Sequence, residues 1–140
     1  MKQRIYADTS VIGGCLDPEF DVPSLRLVER FKLGEAVIVS SELTLLELVD
    51  APKKVRDVLN GISEANREYL DLTTEAKELA ERYLTEGVIG PGKRIDAQHI
   101  AIATISRVDV LVSWNFRHIV NLARIRGLQF SQSPTRLPGP

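Results

Sequence analysis

Short apolar runs that alternate with helix-length segments constrain the fold of this chain more than any other feature. Residues 36–39 form an uninterrupted apolar run, and residues 110–112 form another. Strands that are apolar on both faces are typical of a parallel sheet covered by helices. Shorter or weaker strands are predicted at residues 4–7, 69–72 and 128–130. The alternation therefore predicts an α/β fold, with a central parallel sheet and helices on both of its faces.

Turn-forming and capping residues set the expected limits of the helices between these strands. Gly13-Gly14 and the following Asp17-Pro18 predict a loop after the first strand. Gly34, Gly61 and Gly87 each mark a helix end. The predicted helices cover residues 23–33, 53–59, 95–105 and 117–125, a run from the Ser40-Ser41 cap to Val49, and a run from Thr73 or Thr74 to Tyr83.

The bulk composition predicts a single domain in a reducing compartment. A chain of 140 residues with 44% hydrophobic and 26% charged residues is ordinary for one globular domain. The single Cys15 cannot form an internal disulfide, which fits the cytoplasm. Neither a membrane-spanning run nor a signal peptide is recognised. We expect a domain at residues 1–131 and a loose, flexible tail at residues 132–140, which are polar and rich in Pro and Gly.

Charge is distributed unevenly along the chain. Residues 1–92 carry 11 Lys and Arg against 17 Asp and Glu, whereas residues 93–140 carry 7 against 2. The basic last third could present a local surface to an anionic substrate, or it could be a solvated face of mixed charge. The sequence leaves these two interpretations open.

Asp8 is the first candidate functional residue, because it follows a buried strand directly. A carboxylate that is desolvated at the end of a strand needs a partner or a metal ion. In open α/β sheets, ligands bind just beyond the carboxyl ends of the strands. We therefore interpret Asp8 as a metal ligand in such a crevice.

Three further polar residues occupy equivalent positions after strands or at the starts of helices, and each has a plainer alternative. Glu47 follows the second strand and could instead be a solvent-facing residue of an amphipathic helix. Asp96 opens a helix and could simply stabilise the helix dipole. Asn115 follows the fourth strand. For His99, one turn after Asp96, we favour a satisfied, semi-buried histidine over a ligand.

The aromatic and basic residues beside these positions have weaker interpretations. Trp114 could stack on a nucleic-acid base, although an ordinary aromatic at the edge of the core is the favoured alternative. For His118, next to Arg117, the interpretation is limited to contact with the substrate. No Ser–His or Cys–His nucleophile is apparent, and Cys15 is interpreted as packing.

The order of these motifs resembles the PIN-domain family. The matching segments, which extend over residues 4 to about 130, are Asp8-Thr9-Ser10, the run from Ser40 to Glu47, Asp96-Ala97 with Ile100, Ala101 and Ala103, and Ser113-Trp114-Asn115. The chain looks most like the single-domain PIN ribonucleases that serve as toxins of type II toxin–antitoxin pairs. This resemblance implies a Rossmann-like three-layer α/β/α sandwich.

The resemblance also implies a site and a reaction. Asp8, Glu47 and Asp96 match the acidic positions that bind Mg²⁺ or Mn²⁺ in the family, and Asn115 stands at a fourth position that is often Asp. Carboxylate oxygens suit these hard cations, which relieve the repulsion between the acids and activate water. The expected substrate contacts are Thr9, Ser10, Lys93, Arg94, Ser113 and Arg117, of which the basic residues would hold the RNA backbone.

Two functions from different classes follow from the sequence. The first is a metal-dependent endoribonuclease, a toxin that forms a homodimer and is held inactive by an antitoxin protein. The second is an RNA- or protein-binding module of the same fold. The uncharged Asn115 is the feature that supports this alternative. A phosphatase that forms a phosphoaspartate is disfavoured, because no second Asp stands two residues after Asp8.

Overall fold

The computed structural model describes residues 2–115 and the backbone of residues 129–131. Within this part of the chain, a five-stranded sheet has the strand order β3-β2-β1-β4-β5, and every strand pair is parallel. The strands are β1 (Gln3–Ala7), β2 (Ala36–Ser41), β3 (Arg67–Leu70), β4 (Val110–Val112) and β5 (Gln129–Ser131). The helices are α1 (Thr9–Gly14), α2 (Asp21–Lys32), α3 (Glu42–Val49), α4 (Lys53–Asn60), α5 (Thr74–Thr85) and α6 (Arg94–Ile105).

Alternate residues of the central strand β1 face two separate apolar layers. Ile5 and Ala7 pack with residues of α1, α2 and α4, whereas Tyr6 packs with residues of α5 and α6. The same alternation continues in β2 and β4, as the period of two in a strand requires. The result is the three-layer α/β/α sandwich that the sequence predicts.

The order of the strands places a topological switch beside β1. The chain moves outward from β1 through β2 to β3, and then returns to the other side of β1 with β4 and β5. Ala7 at the end of β1 lies opposite Val112 at the end of β4. Ligands in open α/β sheets bind at such a switch point, beyond the carboxyl ends of the strands.

Side chains cap the helices that begin at this end of the sheet. Asp8 is the N-cap of α1 and accepts hydrogen bonds from the backbone of that helix. Ser41, the N-cap of α3, forms a reciprocal capping box with Thr44. Gly34, where we expect a helix to end, follows α2 with φ +74°, a conformation that favours glycine. These caps fix how α1 and α3 leave the sheet.

The loop predicted at Gly13-Gly14 is wrong, because both residues belong to α1. A Cβ atom on Gly14 would lie 2.5 Å from Ser24 Oγ and 2.9 Å from Trp114 Nε1, so this glycine permits close packing. The third strand begins and ends two residues before its predicted limits, and the last strand begins one residue after its own. The predicted helix at residues 117–125 and the predicted tail at residues 132–140 lie outside the described residues.

Among the described helices, none combines the length and the apolar composition that crossing a bilayer requires.

Candidate functional site

Asp8 lies buried at the carboxyl end of β1, with only 4% of its surface exposed. Its Oδ1 accepts hydrogen bonds from Ser10 Oγ at 2.6 Å, from Ser10 N at 3.1 Å and from Val11 N at 3.4 Å. The backbone of Asp8 is extended, and α1 begins at the next residue. Capping the helix therefore fixes the direction of this carboxylate.

Ser113, at the end of β4, holds the other oxygen of the same carboxylate. Its Oγ donates to Asp8 Oδ2 at 2.6 Å, and it accepts a hydrogen bond from the backbone N–H of Asn115 at 3.0 Å. The backbone N–H of Trp114 donates to Ser10 Oγ at 3.0 Å. The parallel pairing of β1 with β4 thus brings together two hydroxyl groups that orient Asp8.

Burial dominates the electrostatics of Asp8. Desolvation raises the pKa of its carboxyl group, and interactions with His99, Ser10 and Ser113 oppose that rise without cancelling it. Burial therefore makes the charged form of Asp8 costly, and the surrounding hydrogen-bond donors offset part of that cost.

Glu47 of α3 reaches the same region from the solvent side. Its side chain is 41% exposed, and its Oε1 accepts hydrogen bonds from His99 Nε2 at 2.8 Å and from Thr9 Oγ1 at 3.1 Å. Burial acts to raise the pKa of Glu47, but the interactions with His99 and Thr9 outweigh it and leave the pKa lowered. Glu47 is thus neither a free surface residue nor a core residue.

Asp96 lies in the first turn of α6, where the charges of both other acids affect its pKa. Its pKa is raised, first by burial, then by the charge of Asp8 and, more weakly, by that of Glu47. His99 and Lys93 act in the opposite direction. The fold therefore brings the three predicted acidic residues within electrostatic reach of one another.

In their present orientations, the side chains of these acids do not form a metal-binding group. Among residues 2–115, no group of three or more His, Cys, Asp and Glu side chains has the arrangement needed to hold one. Asp8 is turned toward hydroxyl groups and Glu47 toward His99. The donor chemistry still fits Mg²⁺ or Mn²⁺, because the acids are hard oxygen donors whose crowded negative charge a cation would offset.

A buried polar network that sequence reasoning missed lies behind Glu47. His99 is 2% exposed, and its Nδ1 lies 2.6 Å from the hydroxyl of Tyr6, which in turn lies 2.7 Å from Ser41 Oγ. The satisfied histidine favoured from the sequence is what the structure shows, but one of its partners is a predicted ligand. The available signal was the tyrosine in a buried strand, because its hydroxyl needs a partner.

The predicted substrate contacts fall into different places. Thr9, Ser10 and Ser113 line the acidic group, and Lys93 is close enough to Asp96 to lower its pKa. Arg94 pairs instead with Glu81 of α5, at 2.8 and 3.0 Å. Arg117 and His118 lie outside the described residues.

The two residues after Ser113 have contrasting surroundings. Trp114 is 4% exposed, stacks on Phe20 with ring centroids 6.0 Å apart, and donates from Nε1 to Ser24. The favoured alternative for Trp114, an aromatic at the edge of the core, is therefore confirmed. Asn115 is exposed and contributes its backbone N–H to Ser113.

Several solved structures share this fold, among them a toxin–antitoxin complex and a toxin. A toxin–antitoxin complex from Klebsiella pneumoniae matches with a TM-score of 0.61 and 17% identity, covering 93% of this chain and 97% of that chain. VapBC2 from Rickettsia felis, bound to a DNA fragment from its promoter, matches with a TM-score of 0.62 and 17% identity, covering 92% and 98%.

A third solved structure is VapC20 of Mycobacterium tuberculosis, a toxin that cleaves the sarcin–ricin loop. It matches with a TM-score of 0.60 and 14% identity, covering 84% of this chain and 98% of that chain. No protein-family model matches the sequence, and neither does any curated protein. The likeness shows the fold, and it confirms the Rossmann-like α/β/α architecture expected from the PIN-domain resemblance.

Proposed function

We propose that this protein is a metal-dependent endoribonuclease that acts as the toxin of a toxin–antitoxin pair. One observation carries the proposal: Glu47 accepts hydrogen bonds from Thr9, which directly follows Asp8, and from His99, one turn after Asp96, so three elements bring their acids together. In agreement with this geometry, the charges of Asp8 and Glu47 raise the pKa of Asp96. Such crowding of acids is costly for stability and is typical of a functional site. The likeness to a toxin that cleaves the sarcin–ricin loop supports RNA as the substrate class.

The residues that would hold Mg²⁺ or Mn²⁺ are Asp8, Glu47 and Asp96, with the amide oxygen of Asn115 as a neutral fourth donor. When bound, the cation supplies a water of lowered pKa and positive charge beside the phosphate. The protein itself orients Asp8 through Ser10 and Ser113, as described above.

The residues around the acids would bind the RNA. Lys93, which lies near Asp96, would contact the phosphate backbone, and the exposed Asn115 stands at the rim of the same region. We extend the proposal to Arg94 and Arg117 as further backbone contacts. The Arg94 pair with Glu81 is exposed at both ends and therefore easily exchanged for a phosphate.

The partner proposed for this chain is an antitoxin protein that covers the acidic region. The likeness to a toxin–antitoxin complex over most of both chains supports this partner. We further propose that the toxin is a homodimer in the cytoplasm, as the family resemblance implies.

The test is cleavage of RNA by the purified chain in Mn²⁺, in Mg²⁺ and in EDTA. Wild type is expected to cleave only with a metal ion, and Asp96→Asn is expected to be inactive. Asp71→Asn is a matched control, because Asp71 is an exposed Asp that follows β3, two strands from β1, and it affects the pKa of none of the three acids. Equal cleavage by wild type and Asp96→Asn, or full cleavage in EDTA, would contradict the proposal.

A second candidate, a binding module with little catalysis, is favoured by one observation. The fourth position is the uncharged Asn115, which can offer an amide oxygen but no negative charge. The discriminating variant is Asn115→Asp. If wild type binds RNA without cutting it and the variant cuts, the natural chain is a binding module derived from an enzyme.

A further inference from the structure

We propose that His99 is a positioning residue, which holds Glu47 with one carboxylate oxygen occupied and the other oxygen open to a divalent cation. The inference rests on the proposed function and assigns a task to a buried side chain that the acidic group does not itself include. It is carried by the geometry of a hydrogen-bonded chain that runs from Ser41 through Tyr6 and His99 to Glu47.

The imidazole ring of His99 is held on both sides. Its Nδ1 lies 2.6 Å from Tyr6 Oη, and its Nε2 lies 2.8 Å from Glu47 Oε1. The Tyr6 ring meets it edge to face, with centroids 5.7 Å apart and an interplanar angle of 70°. Tyr6 and His99 are both almost completely buried, so neither ring has room to turn. Packing and the hydrogen bond with Tyr6 together therefore fix the direction in which Nε2 points.

The bond to Glu47 does not depend on the protonation state of His99. A carboxylate only accepts hydrogen bonds, so Nε2 carries the hydrogen in either state. In the neutral ring, Nδ1 accepts from the Tyr6 hydroxyl, which accepts from Ser41 Oγ at 2.7 Å. In the charged ring, Nδ1 donates to Tyr6 Oη and the Tyr6 hydroxyl donates to Ser41 Oγ, so the bond from Nε2 to Glu47 is kept.

The hydrogen bonds to Glu47 are distributed asymmetrically. Both bonds that described residues make to this carboxylate, from His99 and from Thr9, end on Oε1. Oε2 receives none of them. Thr9 directly follows Asp8, so the same oxygen that His99 holds is also tied to the segment that carries the buried acid. One oxygen thus anchors the side chain, and the other receives no hydrogen bond from residues 2–115, so these residues leave it available as a ligand.

Anchoring matters because Glu47 is otherwise poorly restrained. It is 41% exposed on α3, and its neighbours Leu45 and Leu46 are exposed too, so α3 offers it no apolar pocket. A long side chain at such a position loses considerable rotamer freedom when it binds an ion. A buried histidine that fixes the carboxylate beforehand removes part of that cost, as partners of metal ligands commonly do.

Two amide substitutions at residue 99 separate positioning from simple core packing. His99→Gln can place an amide N–H near the position of Nε2, whereas His99→Asn reaches only the position of Nδ1. With purified full-length chains, we expect His99→Asn to weaken Mn²⁺ binding in calorimetry by about 10- to 100-fold. We expect His99→Gln to restore most of the affinity, and RNA cleavage to follow the same order.

A double-substitution cycle provides the readout that a packing role would not change. In a Glu47→Gln background, His99→Asn is expected to have little further effect on Mn²⁺ affinity, because the carboxylate that it positions is gone. An equal loss in both backgrounds would overturn the proposal, and so would equal affinities for the Gln and Asn variants. If His99→Asn does not fold, Tyr6→Phe decides: it keeps the ring and removes the hydroxyl that orients His99, and unchanged Mn²⁺ affinity would overturn the proposal.

Failure of this inference differs from failure of the proposed function. A wild-type chain that binds Mn²⁺ and cleaves RNA, together with an unaltered His99→Asn variant, overturns the role of His99 alone. A wild-type chain that neither binds Mn²⁺ nor cleaves RNA overturns both.

Discussion

The two ends of the sheet differ in how their charged side chains are paired. Near the amino ends of the strands, the Arg4 guanidinium donates to both carboxylate oxygens of Glu68, at 2.8 and 2.6 Å, and to Ser106 O and Oγ. The backbone N–H of Arg4 also donates to Asp109 at 2.7 Å. At the carboxyl end, Asp8 and Glu47 lie within electrostatic reach of Asp96, and the basic side chains of the described residues that lower the pKa values of these acids are His99 and Lys93.

The difference shows which charges serve the fold and which oppose it. The Arg4 network pairs its charges and joins β1 to the edge strand and to the turn before β4, so it stabilises the sheet. At the other end, burial raises the pKa of Asp8, and burial together with the charges of Asp8 and Glu47 raises the pKa of Asp96, so the charged forms of these two aspartates weaken the folded state. Substitutions at the two ends should therefore separate stability from activity.

The largest expected effect is the loss of cleavage in Asp8→Asn. Removing one charged ligand should cost several kcal/mol of transition-state stabilisation, or about 10³-fold in rate. The melting temperature should not fall, because the amide keeps partners in Ser10 and Ser113 and removes a desolvated charge. Cleavage rate and thermal unfolding measure both. A variant that unfolds at a lower temperature than wild type would contradict the expectation that Asp8 serves activity and does not stabilise the fold.

The second effect is stabilisation by Mn²⁺. At a concentration 100-fold above Kd, the ion should add about 2.7 kcal/mol and raise the melting temperature by several degrees. Asp8→Asn should show no such rise, whereas Arg4→Met should show the full rise from a lower starting temperature. Differential scanning fluorimetry with and without Mn²⁺ measures the shift. An equal rise in all three proteins would place the ion elsewhere.

The third effect is the destabilisation caused by Arg4→Met. Loss of this network leaves Glu68 without its partner and should lower the free energy of unfolding by about 1–2 kcal/mol. RNA cleavage should stay unchanged. Arg94→Met is the matched control, because its pair with Glu81 is exposed at both ends and should contribute nothing measurable. Urea unfolding checks both variants, and equal stabilities would remove the distinction between the two ion pairs.

The smallest effect is a difference in pH dependence without metal. The folded-state pKa values of Asp8 and Asp96 are raised, so their contribution to stability is fully present below the ordinary pKa of 3.8 and is lost as pH rises through the raised values. The lowered pKa of Glu47 acts oppositely, contributing above its ordinary 4.5 and losing that contribution as pH falls.

Asp8→Asn should therefore gain stability over wild type as the pH rises from about 4 to about 7. Thermal unfolding in EDTA at several pH values measures this difference. Parallel curves for the two proteins would show that the charge of Asp8 does not oppose folding.

The strands that are apolar on both faces could be predicted well from the sequence. The apolar composition of β1, β2 and β4 indicates that these strands are buried. Their predicted positions are confirmed to within two residues. β3 was misplaced because Arg67 and Glu68, at the edge of the sheet, are polar and only partly buried. The helix at Gly13 was missed because the Gly13-Gly14 pair was interpreted as a loop signal, whereas Gly14 packs closely against Ser24 and Trp114, which are distant in the sequence.

The candidate site could be predicted in part. An Asp after a buried strand and an Asp in the first turn of a helix are local patterns, and the fold brings them together with Glu47. The network behind them is not local: His99 meets Tyr6 over 93 residues of sequence and Glu47 over 52. Pairings of this kind become visible only when the strand order and the faces of the helices are known.

The hydrogen bond between Asp8 and Ser113 has a consequence for how the chain is made. The two residues lie 105 positions apart, so the first is synthesised early and its partner late. Contacts that close such long loops form slowly, and nascent chains emerge with their amino terminus first. A ribosome that is still translating this message therefore carries a polypeptide in which Asp8 has not yet met the hydroxyl group that holds its second carboxylate oxygen.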